Sequence, residues 1–269
     1  MPLFQVVVLA ILQGITEFLP ISSSGHLLLV PQVTDWGDQG LGFDLAVHLG
    51  TLLAVVTYFR SDLMRLTRDW GRSLRVRAPC GESPLAWAII IGTIPVGLAG
   101  LAAKDVIESA MRAPEVAAVV ITLTTVGFGV LLGVADWFAP QRRTLHRLGW
   151  RDAVFVGCAQ AIALIPGTSR SGITMTAGRM LGLRRDAAAR FSFLLAIPVT
   201  VLASGLTMID LARTGAAVPW GNFLLGGGLA ALVAFVCIHF FLKWINQWGM
   251  LPFVAYRLVL GVVLVILLW

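Results

Sequence analysis

Long apolar runs alternate with short polar stretches along this chain, and the runs define the elements. A helix needs roughly 20 apolar residues to cross a bilayer core. Six segments approach that length: 43–59, 84–103, 116–138, 191–211, 223–242 and 251–269. Two further regions are apolar but too short to cross. Residues 2–12 and 27–33 flank the polar stretch 13–26, and residues 152–165 and 173–183 flank 166–172. Each pair predicts a re-entrant hairpin, two half-helices joined by polar backbone at membrane depth. Such backbone is tolerated only where it is buried in protein or lines a wet cavity.

Basic residues then give the orientation. The loop 60–83, the longest, carries Arg60, Arg65, Arg68, Arg72, Arg75 and Arg77. Arg142, Arg143, Arg147 and Arg151 form a second cluster, and Arg184, Arg185 and Arg190 a third. The intervening loops carry only Lys104 and Arg112, or Arg213. Positive charge marks cytoplasmic loops, so both chain ends fall on the outer side. The first hairpin then enters from outside and the second from the cytoplasm, each followed by three spans. The expected fold is an all-α polytopic membrane protein: six transmembrane helices plus two re-entrant helical hairpins in an inverted-topology repeat. It forms one integral membrane domain over 1–269, with repeat one about 1–138 and repeat two about 152–269. The stretch Glu17-Phe-Leu-Pro-Ile-Ser-Ser-Ser-Gly25 parallels Ala163-Leu-Ile-Pro-Gly-Thr-Ser-Arg-Ser171, proline on proline.

Composition sharpens the class. Of 269 residues, 58% are hydrophobic and only 13% charged, whereas soluble domains carry about 25% charged residues. That excludes a soluble enzyme, a disordered chain and a disulfide scaffold. The net charge of +6 sits in loops between spans rather than on a groove-binding stripe, so no nucleic acid is expected as partner. Cys80, Cys158 and Cys237 are far apart, without metal-ligand spacing. Residues 1–12 lack a basic start and a cleavage site, and read as part of the mature fold.

Chemistry concentrates at the two hairpin tips. Gln13 and Glu17 are spaced i, i+4 and share a helix face; Pro20 breaks that helix, and Ser22, Ser23 and Ser24 begin the next, with His26 beyond. Backbone N–H groups and hydroxyls at a helix N-terminus attract anions. The second tip repeats the recipe with Pro166, Gly167, Thr168, Ser169, Arg170, Ser171 and Thr174. Arg170 adds a fork suited to phosphate oxygens. A diphosphate would satisfy Arg170 and the hydroxyls, and a divalent cation would reconcile it with Glu17. Blander readings stand beside this one. Glu17 and Arg170 also read as a structural ion pair, the serines as helix caps, His26 as a buried histidine and Gln13 as an orienter. Asp44 and His48 read equally well as a mutual or loop pairing. Arg257 also reads as able to snorkel to the interface, and Arg179 as able to help hold phosphate or lipid head groups.

At these two tips the sequence resembles the undecaprenyl-diphosphatases, the bacitracin-resistance family. The resemblance rests on Gln13-x-x-x-Glu17 followed by Ser22-Ser-Ser-Gly-His26, and on Pro166-Gly-Thr-Ser-Arg-Ser-Gly-Ile-Thr174, and covers essentially the whole chain. It implies a bacterial inner-membrane enzyme that converts a polyprenyl diphosphate to the monophosphate, recycling the lipid carrier of cell-wall synthesis, with a site open to the periplasm. It implies that Glu17 is a metal-associated carboxylate or base, with Mg²⁺ or Ca²⁺ as the cation. His26 and Ser23 are then candidates for nucleophile or proton transfer, with water as the alternative. Arg170 joins these as catalytic, while Gln13, Ser22, Ser24, Ser169, Ser171 and Thr174 hold substrate. Membrane lipid and a second copy, as a homodimer, complete the expected partners. The rival reading is a secondary transporter or flippase of a phosphorylated lipid, because broken helices meeting at midplane also build carriers.

Overall fold

The computed structural model describes residues 1–34, 36–37, 39–111, 114–214 and 219–268, apart from the side chains of 24, 28–29, 31–32, 104–111, 114–115, 214 and 268. The described residues form eleven α-helices: α1 (Leu3–Thr16), α2 (Ser23–Val33), α3 (Leu41–Tyr58), α4 (Arg60–Val76), α5 (Ser83–Met111), α6 (Pro114–Phe138), α7 (Trp150–Ala161), α8 (Arg170–Met180), α9 (Arg185–Thr214), α10 (Trp220–Trp248) and α11 (Leu251–Leu268). This is an all-α membrane protein. Five helices, α3, α5, α6, α9 and α10, are long and apolar enough to cross a bilayer. The sixth expected span, α11, falls among the shorter apolar helices.

Both short pairs are broken helices; the first break is tighter than its polar stretch suggests, and the second begins earlier than expected, after Ala161, and ends at Arg170. α1 runs through Gln13 to Thr16, and α2 already begins at Ser23. Polar residues there sit on helices because their side chains find partners within a turn or across the break. Residues 60–83 are also not the expected loop. Residues 60–76 form α4, whose Leu63, Leu66 and Trp70 recur at helical spacing and pack on the core while its arginines face outward. Its junction with α5 is fixed by Asp69, whose carboxylate accepts the Glu82 N–H at 3.0 Å and whose carbonyl accepts from Cys80 Sγ at 3.3 Å. The Glu82 N–H and the Arg68 guanidinium hold the Asp69 carboxyl below the usual carboxylate range.

Two glycine crossings set the helix spacing around the tips. Where α3 meets α10, a Cβ on Gly50 would sit 2.1 Å from the Gly227 carbonyl oxygen; where α7 meets α5, one on Gly157 would sit 2.5 Å from that of Gly92. Backbones approach this closely only without side chains between them.

Two arginines serve the scaffold, contrary to expectation. Arg179 is buried: it pairs with Asp136 at 2.9 Å and donates to the Asp136, Ala139 and Leu183 carbonyls, out of reach of any phosphate. Arg185 shares the same carboxylate at 2.8 Å. Arg257 does not snorkel. It is fully buried, and all five of its N–H groups donate to carbonyls: Thr124 and Thr125 of α6, Pro20 of the first tip, and Gly167 and Thr168 of the second, at 2.9–3.4 Å. Burial rather than reach decides the difference, since the freed carbonyls at both breaks leave a cation enough acceptors to stay inside.

Candidate active site

The two tips share one backbone device. Ser22 precedes α2 with φ +74°, and Ser169 precedes α8 with φ +71°. Each hydroxyl caps its helix by accepting from the N–H three residues on, Gly25 at 3.2 Å and Gly172 at 3.1 Å. A side chain with Cβ is strained in this region, so each cap offsets a local cost. The equivalence sets the correspondence between tips at Ser22 with Ser169, one residue away from the alignment of Pro20 with Pro166. The extra residue is accommodated at Gly167, with φ +86°, where a Cβ would sit 2.2 Å from Thr124 Oγ1.

The breaks face one another, and their charged groups meet. Glu17 Oε1 accepts from Arg170 at 2.7 Å; Glu17 Oε2 accepts from Ser23 Oγ at 2.7 Å and from Gln13 Nε2 at 2.9 Å. One carboxylate is thus held by three side chains, two from its own tip and one from the other. Ser23 and Arg170 each directly follow a capping serine, and each points its functional group at Glu17. His48 of α3 brings Nε2 to 3.9 Å from Glu17 Oε2, while its Nδ1 donates to the Asp44 carbonyl at 2.7 Å.

These groups line a cavity of about 410 Å³ that includes Glu17, Ser23, His48, Gln160, Ser169 and Arg170. Leu41, Val96, Leu164, Val199, Ala203 and Thr207 are shared with an adjoining apolar groove of about 1050 Å³ between α5 and α9. Gly97, Gly100 and Gly205 line that groove and keep it free of side chains.

Other expected site residues lie elsewhere. His26 is buried with both ring nitrogens engaged: Nδ1 donates to the Ser22 carbonyl and Nε2 accepts from the Tyr256 hydroxyl, each at 2.6 Å. Thr174 Oγ1 bonds the Arg170 carbonyl at 2.8 Å and Ser192 Oγ at 2.7 Å, inside the helix packing. Ser171 Oγ donates to the Leu19 carbonyl at 2.8 Å, tying one tip to the other. Ser22 acts as a cap, and the Ser24 side chain lies outside the described residues. Asp44 and His48, which the sequence reads as a pair or as site residues alike, both line the cavity. Gln160 escaped the sequence reading, because it sits in an apolar run with no charge beside it; only its place relative to the second tip could have pointed to it.

The sequence matches the family model of the bacitracin resistance protein BacA over residues 6–263. Proteins named undecaprenyl-diphosphatase are similar along their whole length. That of Stutzerimonas stutzeri (strain A1501), undecaprenyl-diphosphatase 2, is 58% identical over 99% of this chain and 98% of its own. That of Nitrosococcus oceani is 55% identical over 98% of both, and that of Marinobacter nauticus 54% identical over the full length of both. The chain belongs to the bacitracin resistance protein BacA family.

Proposed function

We propose that this protein hydrolyses undecaprenyl diphosphate to the monophosphate and inorganic phosphate, within a bacterial inner membrane. One observation carries the reading: a serine–carboxylate–guanidinium relay stands where a polar cavity opens into a lipid-sized apolar groove. The groove takes the first prenyl units, and the diphosphate enters the cavity against Arg170 and Ser169.

The relay has the geometry of an activated nucleophile, a hydroxyl within hydrogen-bond reach of a base that a third group orients. Ser23 Oγ attacks the terminal phosphorus and gives its proton to Glu17. The anhydride P–O bond breaks, and prenyl monophosphate leaves with the bridging oxygen. Water then hydrolyses the phosphoserine and restores Ser23. Arg170 takes up the charge growing on the phosphoryl oxygens, at a cavity lined by the first residues of both α2 and α8. We assign His26 to the scaffold, because its lone pair is already occupied by Tyr256.

Among the described residues no group of three His, Cys, Asp or Glu side chains could hold a metal. At the tips the donors are the Glu17 carboxylate and the Ser23 hydroxyl, with the Asp44 carboxylate farther along the same cavity wall. This suits Mg²⁺ or Ca²⁺ shared with substrate oxygens and water rather than caged by protein. Glu17 and Ser23 would hold such an ion, which supplies charge neutralisation when bound.

The topology proposed is six spans with two re-entrant pairs, α1–α2 and α7–α8. The cavity and groove draw on the halves of α3, α5 and α9 farthest from the Arg-rich α4. With α4 cytoplasmic, the site opens to the periplasmic side. The test is phosphate release from C55 and C15 prenyl diphosphates by purified protein in detergent, with and without EDTA. Release that disappears in Glu17→Ala and Arg170→Ala supports the reading. No release from folded wild type across several divalent cations overturns it in favour of a carrier.

A further inference from the structure

Gln13 and Gln160 hold the same position relative to their tips, each nine residues before its capping serine. Both are fully buried. Their surroundings differ in one respect. One turn after Gln13 stands Glu17, which takes the Gln13 amide N–H at 2.9 Å. One turn after Gln160 stands Leu164, so the second tip offers no carboxylate. Neither Nε2 nor Oε1 of Gln160 has a hydrogen-bond partner. An unpaired buried amide is costly, and such groups are normally satisfied by protein or water. Gln160 lines the cavity that also holds Glu17, Ser23, Ser169 and Arg170.

We infer that the Gln160 carboxamide is a substrate-binding arm, its N–H group donating to an anionic oxygen of the bound diphosphate in the place a carboxylate fills at the first tip. This rests on the phosphatase reading and adds a residue to it. In the first repeat the glutamine orients a catalytic carboxylate; in the second the same position reaches for the ligand's own negative charge. The neutral amide suits the task, since a carboxylate there would repel diphosphate and a lysine would pair with Glu17.

Gln160→Met tests this, because it keeps the volume and removes the polar group. An unpaired buried polar group without a ligand role is dispensable, so a mere packing residue would leave both stability and turnover intact or improved. A binding arm separates the two. The melting temperature in detergent should hold or rise, while kcat/KM for C15 prenyl diphosphate falls about 10–100-fold, the range for one hydrogen bond to a charged group. KM should carry the loss, since the bond forms in ground and transition states alike. Gln160→Glu should lose more, by charge repulsion. Unchanged kcat/KM in Gln160→Met overturns the inference, and so does a loss accompanied by a lowered melting temperature, which assigns Gln160 to the scaffold. Wild type assayed alongside separates this failure from failure of the phosphatase reading, which would leave wild type itself inactive.

Discussion

The two tips are built alike and equipped differently. Each has a serine at positive φ, capping a short helix through an N–H three residues on. After the cap the first tip places Ser23 and the second Arg170; one turn after the buried glutamine, the first places Glu17 and the second Leu164. The backbone device therefore fixes where side chains point, and chemistry follows from what is attached. The first tip supplies hydroxyl and carboxylate. The second supplies the cation that holds the carboxylate's other oxygen. Neither tip alone contains the relay.

Breaking the pairing across the tips should have the largest effect. Glu17→Ala or Arg170→Ala should each lower phosphate release by about 100- to 10,000-fold, by loss of the base or of charge stabilisation. Arg170→Lys should still lose at least about tenfold, since a point charge cannot copy the fork; full turnover in this variant would remove Arg170 from the chemistry. Arg257→Met comes next, and strikes both tips together. It removes five hydrogen bonds and leaves the carbonyls of Pro20, Gly167 and Thr168 at the breaks without this donor, so unfolding in detergent should become easier by more than about 3 kcal/mol. A melting temperature equal to wild type would show that the carbonyls find other partners.

The caps give a smaller and symmetric effect. Ser22→Ala and Ser169→Ala each lose the cap and keep the strain, at about 1–2 kcal/mol. The glycine variants relieve the strain and should stay within about 1 kcal/mol of wild type. Matching losses at both tips are expected in thermal melts, and a large asymmetry would refute the shared device. The smallest effect lies outside both tips, at Asp69. Its carboxyl is held low in the folded protein, so the stabilisation is present above the ordinary carboxylate pKa and fades as pH falls through the lowered value. Asp69→Asn should therefore melt below wild type at pH 7, with the gap closing in acid.

Much of this was legible in the sequence, for definite reasons. Apolar runs located the long helices because length and hydropathy are all a span requires. Glu17 and Arg170 stood out because charges in apolar surroundings need a reason. What stayed hidden depended on partners distant in the chain. The i, i+4 spacing of Gln13 and Glu17 did show the helix running on to the break, but not that Glu17 reaches Arg170 across it, 153 residues on. α4 was obscured by its arginines, although Leu63, Leu66 and Trp70 carried its period. The shift between Pro20 and Pro166 follows from one glycine wedged against α6. Nothing near His26 in the chain marks its partner Tyr256, 230 residues on.

Arg257 bears finally on how such a molecule can move. A carrier that rocks one half against the other must part the seam between its broken helices on every cycle. Here that seam is riveted by a single guanidinium gripping carbonyls from α6 and from both tips. Rocking would strip those buried bonds twice per turnover. A stationary chamber visited by a freely diffusing lipid demands no such rupture.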